Sequence, residues 1–311
     1  MREAGVYLLA SLALGWIAVW AGENLFWTTP APELRLLEIG VTWLAYAVAA
    51  GAALSTVIWS GIGGWRAAFL GGALLGFQIE GAVVGTMYEA FPLQLVWTPL
   101  AWHAVVSGLC VLAGGLALAR GGIGRQVAGM LALGLFGAVW GLYWPLEGKA
   151  LAGFAGVGAY LGLGGIGAGL ALGVLTRLPT LPRGRWWLWL MPGGVAALWI
   201  VGTVLTPSPL RLAGPGMVAV TVWAMVRLGR GGGRAARPEA GARGAGPGLF
   251  GPPLPWLRCL AFGLAPLTTT LLVVPGWVIL GGVAVNVPVA LATGALGLGL
   301  WLSLLWRAAR G

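Results

Sequence analysis

LEIGVTWLAYAVAAGAALSTVIWSGIGGWRAAFLGGALLGFQIEGAVVGT, residues 37–86, holds two apolar runs joined by SGIGG, and its only charged side chains are Glu38, Arg66 and Glu80. A helix rises about 1.5 Å per residue, so about 20 apolar residues cross a hydrocarbon core about 30 Å thick. Both runs have that length. The stretch reads as a transmembrane helical hairpin.

The same division extends along the whole chain. Apolar spans read at Ala4 to Ala21, Leu37 to Trp59, Trp65 to Thr86, Leu95 to Ala117, Val127 to Trp144 and Ala150 to Leu175. Four more follow at Trp186 to Leu205, Leu212 to Val226, Leu257 to Leu280 and Val287 to Trp306. The expected fold is therefore all-α, a polytopic transmembrane bundle of about ten spans. Hydrophobic residues make up 59% of the 311 residues and charged residues 8%, against roughly 25% charged in soluble domains. Lipid must cover what these few charges cannot. The first apolar run is also too long for the core of a typical signal peptide.

Charge then sets the expected orientation. Arg2, Arg66, Arg120, Arg125, Arg177, Arg183, Arg185, Arg227, Arg230, Arg234, Arg237, Arg243, Arg258, Arg307 and Arg310 fall in one set of alternate loops and ends, whereas Arg35, Lys149 and Arg211 fall in the other. The crowded side should be cytoplasmic, with both termini on it and its arginines against anionic lipid headgroups. The excess of 18 basic over 8 acidic residues thus reports membrane orientation. Nucleic acid is not an expected partner, because the arginines form no basic soluble face.

Three segments are expected: a membrane domain of about eight helices over residues 1–228, a flexible Gly-, Arg- and Pro-rich cytoplasmic linker over 229–255, and a final transmembrane hairpin over 256–311. Tryptophans are expected at the headgroup level, with Trp27, Trp97, Trp140, Trp144 and Trp277 marking the outer interface. Gly158, Gly162, Gly165, Gly169 and Gly173 recur at spacings of three and four, a packing seam at the centre of the bundle rather than a substrate path. Oligomerisation is compatible with this reading. Cys110 and Cys259 form neither a disulfide framework nor a metal pattern.

Ionisable residues inside a membrane need a partner or a wet cavity, which makes them functional candidates. Glu80 lies fourteen residues beyond Arg66, about 21 Å along a straight helix. His103 enters from the other side on the next, antiparallel span and reaches a similar depth. Gly72, Gly76 and Glu80 form one stripe; Pro99, His103, Ser107, Cys110 and Gly114 form another. The two are expected to meet. Glu38 heads a third stripe through Thr42, Ala49, Ala53 and Thr56, and Tyr88 and Glu89 add acid and hydroxyl at the outer end. Thr268, Thr269 and Thr270, between Pro266 and Pro275, suggest a broken helix presenting hydroxyls to a solute.

A lone histidine with scattered glutamates lacks zinc-ligand spacing, so no metal, cofactor or catalytic residue is assigned. The chain has no aspartate, Walker loop or nucleophile elbow. The sequence favours a secondary transporter for a small solute, cationic or amphipathic, with Glu80 and His103 handling protons or substrate. The alternatives are an intramembrane enzyme acting on a lipid-linked substrate from the outer side, with Glu80 and His103 as acid and base, and an accessory subunit of a membrane complex.

Overall fold

In a computed structural model, residues 3–232 and 248–311 are described. They form helices joined by short turns, with no β-strand among them. Among the described residues, nine helices are long and apolar enough to cross a membrane: α1 (Glu3–Trp27), α2 (Leu36–Ser60), α4 (Leu93–Arg120), α5 (Ile123–Glu147), α6 (Phe154–Leu175), α7 (Trp186–Leu205), α8 (Pro209–Arg230), α9 (Trp256–Leu280) and α10 (Asn286–Arg310). The third expected span is also present, as α3 over residues 64–83. It is a helix Gly64–Gln78 continued by a wider turn Ile79–Val83. Arg66, Gln78 and Glu80 make it too polar to count with the nine. Phe69, Leu70, Ala73 and Leu74 are fully buried, so α3 packs this face against protein.

Helix ends follow local chemistry. Glu38 caps α2, its Oε2 accepting the Arg35 N–H at 3.0 Å. The helix closes at Gly61, whose φ of +71° is a left-handed stop that favours glycine. Pro215 falls near the start of the regular helix Ala213–Gly232, where proline's missing donor costs little. The ninth span is continuous. A tightened turn at Ala261–Gly263 precedes Pro266, and Pro275 lies within regular helix.

α1 to α4 form the centre. α1 packs on α2 and α6, α3 on α4, and α9 on α5 and α6, while α7, α8 and α10 lie outside. In α7 only 6% of the membrane-length window is buried, against 67% in α1 and α4. Glycines set the closest approaches. A Cβ at Gly15 would stand 2.6 Å from Ala47 Cα, and one at Gly76 would stand 2.6 Å from Pro99 Cα. In the α6 seam, Gly165, Gly169 and Gly173 meet α9 closely, but Gly162 faces open space and Gly158 only the Thr270 methyl at 3.7 Å.

Of the five tryptophans expected at the outer interface, Trp27 is exposed and Trp97 half-buried, and the other three are enclosed by protein. Trp140, Trp144 and Trp277 are buried, and each donates its indole N–H to a carbonyl of another helix: Phe26 O at 2.7 and 3.2 Å, and Gly141 O at 2.8 Å. An indole whose N–H finds a protein acceptor no longer needs the wet headgroup layer.

Of the expected linker, residues 233–247 lie outside the described residues. Helix continues through Gly232. Residues 248–255 run along the end of α6: Leu249 N–H donates to Leu178 O at 3.0 Å, and Arg177 Nη2 donates to Leu254 O at 2.8 Å.

Candidate functional site

Three wide-turn segments, with i→i+5 hydrogen bonds, occur in the central helices: Trp20–Asn24, Ile79–Val83 and Trp97–Gly114. Such turns are rare and frequent at functional sites. Each carries one ionisable residue of a single cluster: Glu23, Glu80 and His103.

The structure brings Glu80 and His103 together. His103 Nε2 is 3.2 Å from Glu80 Oε1, and the side chains are 3% and 12% exposed. Thr86 Oγ1 donates to the other Glu80 oxygen. The proton on the Nε2–Oε1 contact has two positions: on Nε2, the imidazole donates to the carboxylate; on Glu80, the acid donates to Nε2 of an imidazole whose own proton is on Nδ1. Such a pair can take up a proton and pass it on.

Two further residues complete the cluster. Tyr46 of α2 donates its hydroxyl to Glu23 Oε1 at 2.7 Å, and Trp27 Nε1 donates to Glu23 Oε2 at 3.0 Å. Tyr46 and His103 have ring centroids 6.0 Å apart. Between them lies Gly22, where a Cβ would stand 3.0 Å from the Tyr46 hydroxyl and 3.3 Å from His103 Nδ1. The missing side chain leaves these polar atoms bordering one space. His103 Nδ1 is buried there without a partner.

Sequence reasoning passed over both residues. Tyr46 lies on the stripe Thr42, Ala49 and Ala53, and its hydroxyl was the available signal. Glu23 falls two residues beyond the expected end of the first span. The wide turn Trp20–Asn24 carries α1 on to Trp27 and turns Glu23 toward Tyr46.

Other expected site residues lie elsewhere. Glu38 is exposed and occupied in capping α2. Glu89 is exposed. Tyr88 packs beside Gly81, with the Arg211 guanidinium 5.2 Å from its ring centroid, and burial raises its hydroxyl above the ordinary tyrosine range. Thr268, Thr269 and Thr270 donate to the carbonyls of Leu264, Ala265 and Pro266 in their own helix, and Thr269 also reaches Gly134 O at 2.9 Å. The Thr269 hydroxyl alone of the three joins α9 to α5. On α4, Cys110 is exposed, because i→i+5 winding turns Gly108 toward α3 in place of the residues that ordinary helical spacing selects. Among the described residues, no three His, Cys, Asp or Glu side chains come together as metal ligands would.

Two cavities approach the cluster from opposite ends. One, of about 550 Å³, opens between the α2–α3 turn, Arg120 and Phe250, and is lined mainly by apolar side chains. It reaches Ala18, Ala50 and Ser107, each four residues from Gly22, Tyr46 or His103. The other, of about 370 Å³, is lined by Glu23, Trp27, Thr42, Trp144, Lys149 and Tyr160, among others. Along α2, Thr42 borders the second cavity and Ala50 the first. Tyr46 stands between them. Neither cavity is lined by Glu80 or His103.

Protein-family models, curated proteins and solved structures were compared with this chain, and none matches.

Proposed function

We propose that this multi-pass membrane protein is a secondary transporter, moving a small amphipathic solute with proton coupling through Glu80 and His103. One observation carries the reading: two hydrogen-bonded pairs of ionisable side chains, Glu23 with Tyr46 and Glu80 with His103, meet around Gly22, and two cavities approach them from opposite ends. Alternating access needs such a barrier near the middle of the bundle, with room on either side. The apolar lining of the larger cavity suits the hydrocarbon part of an amphipathic solute. An imidazole can take a proton at one ring nitrogen and release one from the other, which suits proton exchange. On this reading the arginine-rich end is cytoplasmic and meets anionic headgroups.

The test uses the purified full chain in proteoliposomes with an internal pH dye, an imposed pH gradient, and a panel of small amphipathic solutes. At least one solute should drive proton movement, and Glu80→Gln should slow it at least tenfold while the thermal melt in detergent is retained. Glutamine keeps the shape and cannot release a proton. Gradient-driven movement at the parental rate in Glu80→Gln overturns the proton role. A parent that moves no protons with any solute overturns the transporter reading.

The enzyme reading has one observation in its favour, the 3.2 Å approach of Glu80 and His103, which suits an acid–base pair. Against it, Glu80 already accepts from Thr86 and is paired with His103, and neither cavity described brings a substrate to it. Turnover of a lipid-linked substrate that is lost in Glu80→Gln would favour this reading.

A further inference from the structure

The smaller cavity contains a feature the proton pathway does not use. Trp27 and Trp144 stack with centroids 5.0 Å apart and planes at 23°, and the Lys149 ammonium lies 4.9 Å from the first ring centroid and 5.9 Å from the second. The ion pairs among the described residues are His103–Glu80 and Arg185–Glu3, so Lys149 turns to aromatic rings, not to a carboxylate. Glu23 borders the same cavity and accepts one hydrogen bond on each oxygen. Each oxygen keeps capacity for another donor.

We propose that this cavity binds a small organic ammonium ion, whose cationic head takes the place of the Lys149 ammonium over Trp27 and Trp144 beside Glu23. The chemistry is that of aromatic cation recognition: ring faces attract a positive charge, most strongly at tryptophan. A nearby carboxylate balances the charge, and a volume of about 370 Å³ is in the range of small-molecule sites. Val19, Leu34 and Ile39 on the cavity wall give the ligand's hydrocarbon part an apolar surface. Lys149 is exposed at the end of a flexible stem and can swing out into water. It is the chain's own competitor for the site. The proposal refines the transporter reading by naming the solute class, and it rests on that reading only for the solute's passage, not for its binding.

Isothermal titration of the full chain in detergent at one uniform pH tests it, with butyltrimethylammonium as the cation and its neutral carbon isostere as the control. The cation should bind at least tenfold more tightly than the isostere. Trp27, itself 38% exposed, can be replaced without opening the core, and Trp27→Leu should weaken cation binding at least fivefold. Lys149→Ala should strengthen it by roughly two- to fivefold, the range of an exposed cation–π contact. A gain of affinity cannot come from misfolding. Equal binding of cation and isostere, or no gain in Lys149→Ala, overturns the proposal. Cation binding without proton movement in vesicles overturns the transporter reading alone, and proton movement with other solutes in the absence of cation binding overturns this inference alone.

Discussion

A carboxylate among membrane helices costs several kcal/mol unless its charge is shared or its oxygens are satisfied. Glu80 has both remedies, a histidine at 3.2 Å and the Thr86 hydroxyl. Glu23 is satisfied by Tyr46 and Trp27. Removing one donor should therefore be felt at the second carboxylate. Tyr46→Phe deletes a buried hydroxyl and leaves Glu23 Oε1 one donor short, with a cost of about 1 kcal/mol because Glu23 keeps some access to water. Thermal denaturation in detergent should show a lower midpoint. A midpoint matching the parent would show that this bond contributes nothing. Glu80 and His103 were legible from sequence because helical rise fixes depth. Tyr46 and Glu23 were not paired there, since their meeting depends on how α1 turns over its last residues.

Among the elements, α3 and α4 approach most instructively. A Cβ at Gly72 would lie 2.6 Å from His103 O, and one at Gly76 would lie 2.9 Å from His103 Cβ. These contacts are with backbone and with atoms fixed to it, so the neighbour cannot swing aside. Gly76→Ala should destabilise by about 1–3 kcal/mol, the usual range for overpacking, and should displace His103 from Glu80. Gly162→Ala is the matched control: its Cβ meets nothing within 4 Å, so its melting midpoint should stay at the parental value. Equal midpoints for both variants would contradict the close packing of α3 on α4. The small-residue stripes of α3 and α4 and their meeting could be read from sequence, but not every residue that makes the contact. Ordinary helical spacing puts Cys110 and Gly114 on the His103 face, and the wide winding of Trp97–Gly114 substitutes Gly108.

For the whole molecule, the segregation of arginine carries the proposed orientation. Ala31 and Thr180 are exposed at opposite ends of the bundle. In a background lacking Cys110 and Cys259, Ala31→Cys should react with an impermeant maleimide on intact cells, and Thr180→Cys only after the membrane is opened. Reaction of both from outside would overturn the ten-crossing arrangement, because residues 31 and 180 are separated by five crossings in it. The crossing most sensitive to this test is α3, whose polar residues keep it from resembling the other nine helices.

Run length and charge scarcity alone determined an all-α bundle of transmembrane helices, because hydrocarbon demands about 20 apolar residues per crossing whatever the tertiary arrangement. Helical rise also brought Glu80 and His103 to one depth. Tertiary structure decided which face each helix presents. Local departures in winding at Trp20–Asn24, Ile79–Val83 and Trp97–Gly114 rotate side chains away from the positions of a regular helix. That rotation sets Glu23 against Tyr46 and places Gly22 between Tyr46 and His103. Trp140, Trp144 and Trp277 are enclosed by protein for a related reason: whether an indole needs water depends on the carbonyl that packing brings to its N–H, and helix packing rather than composition supplied Phe26 and Gly141.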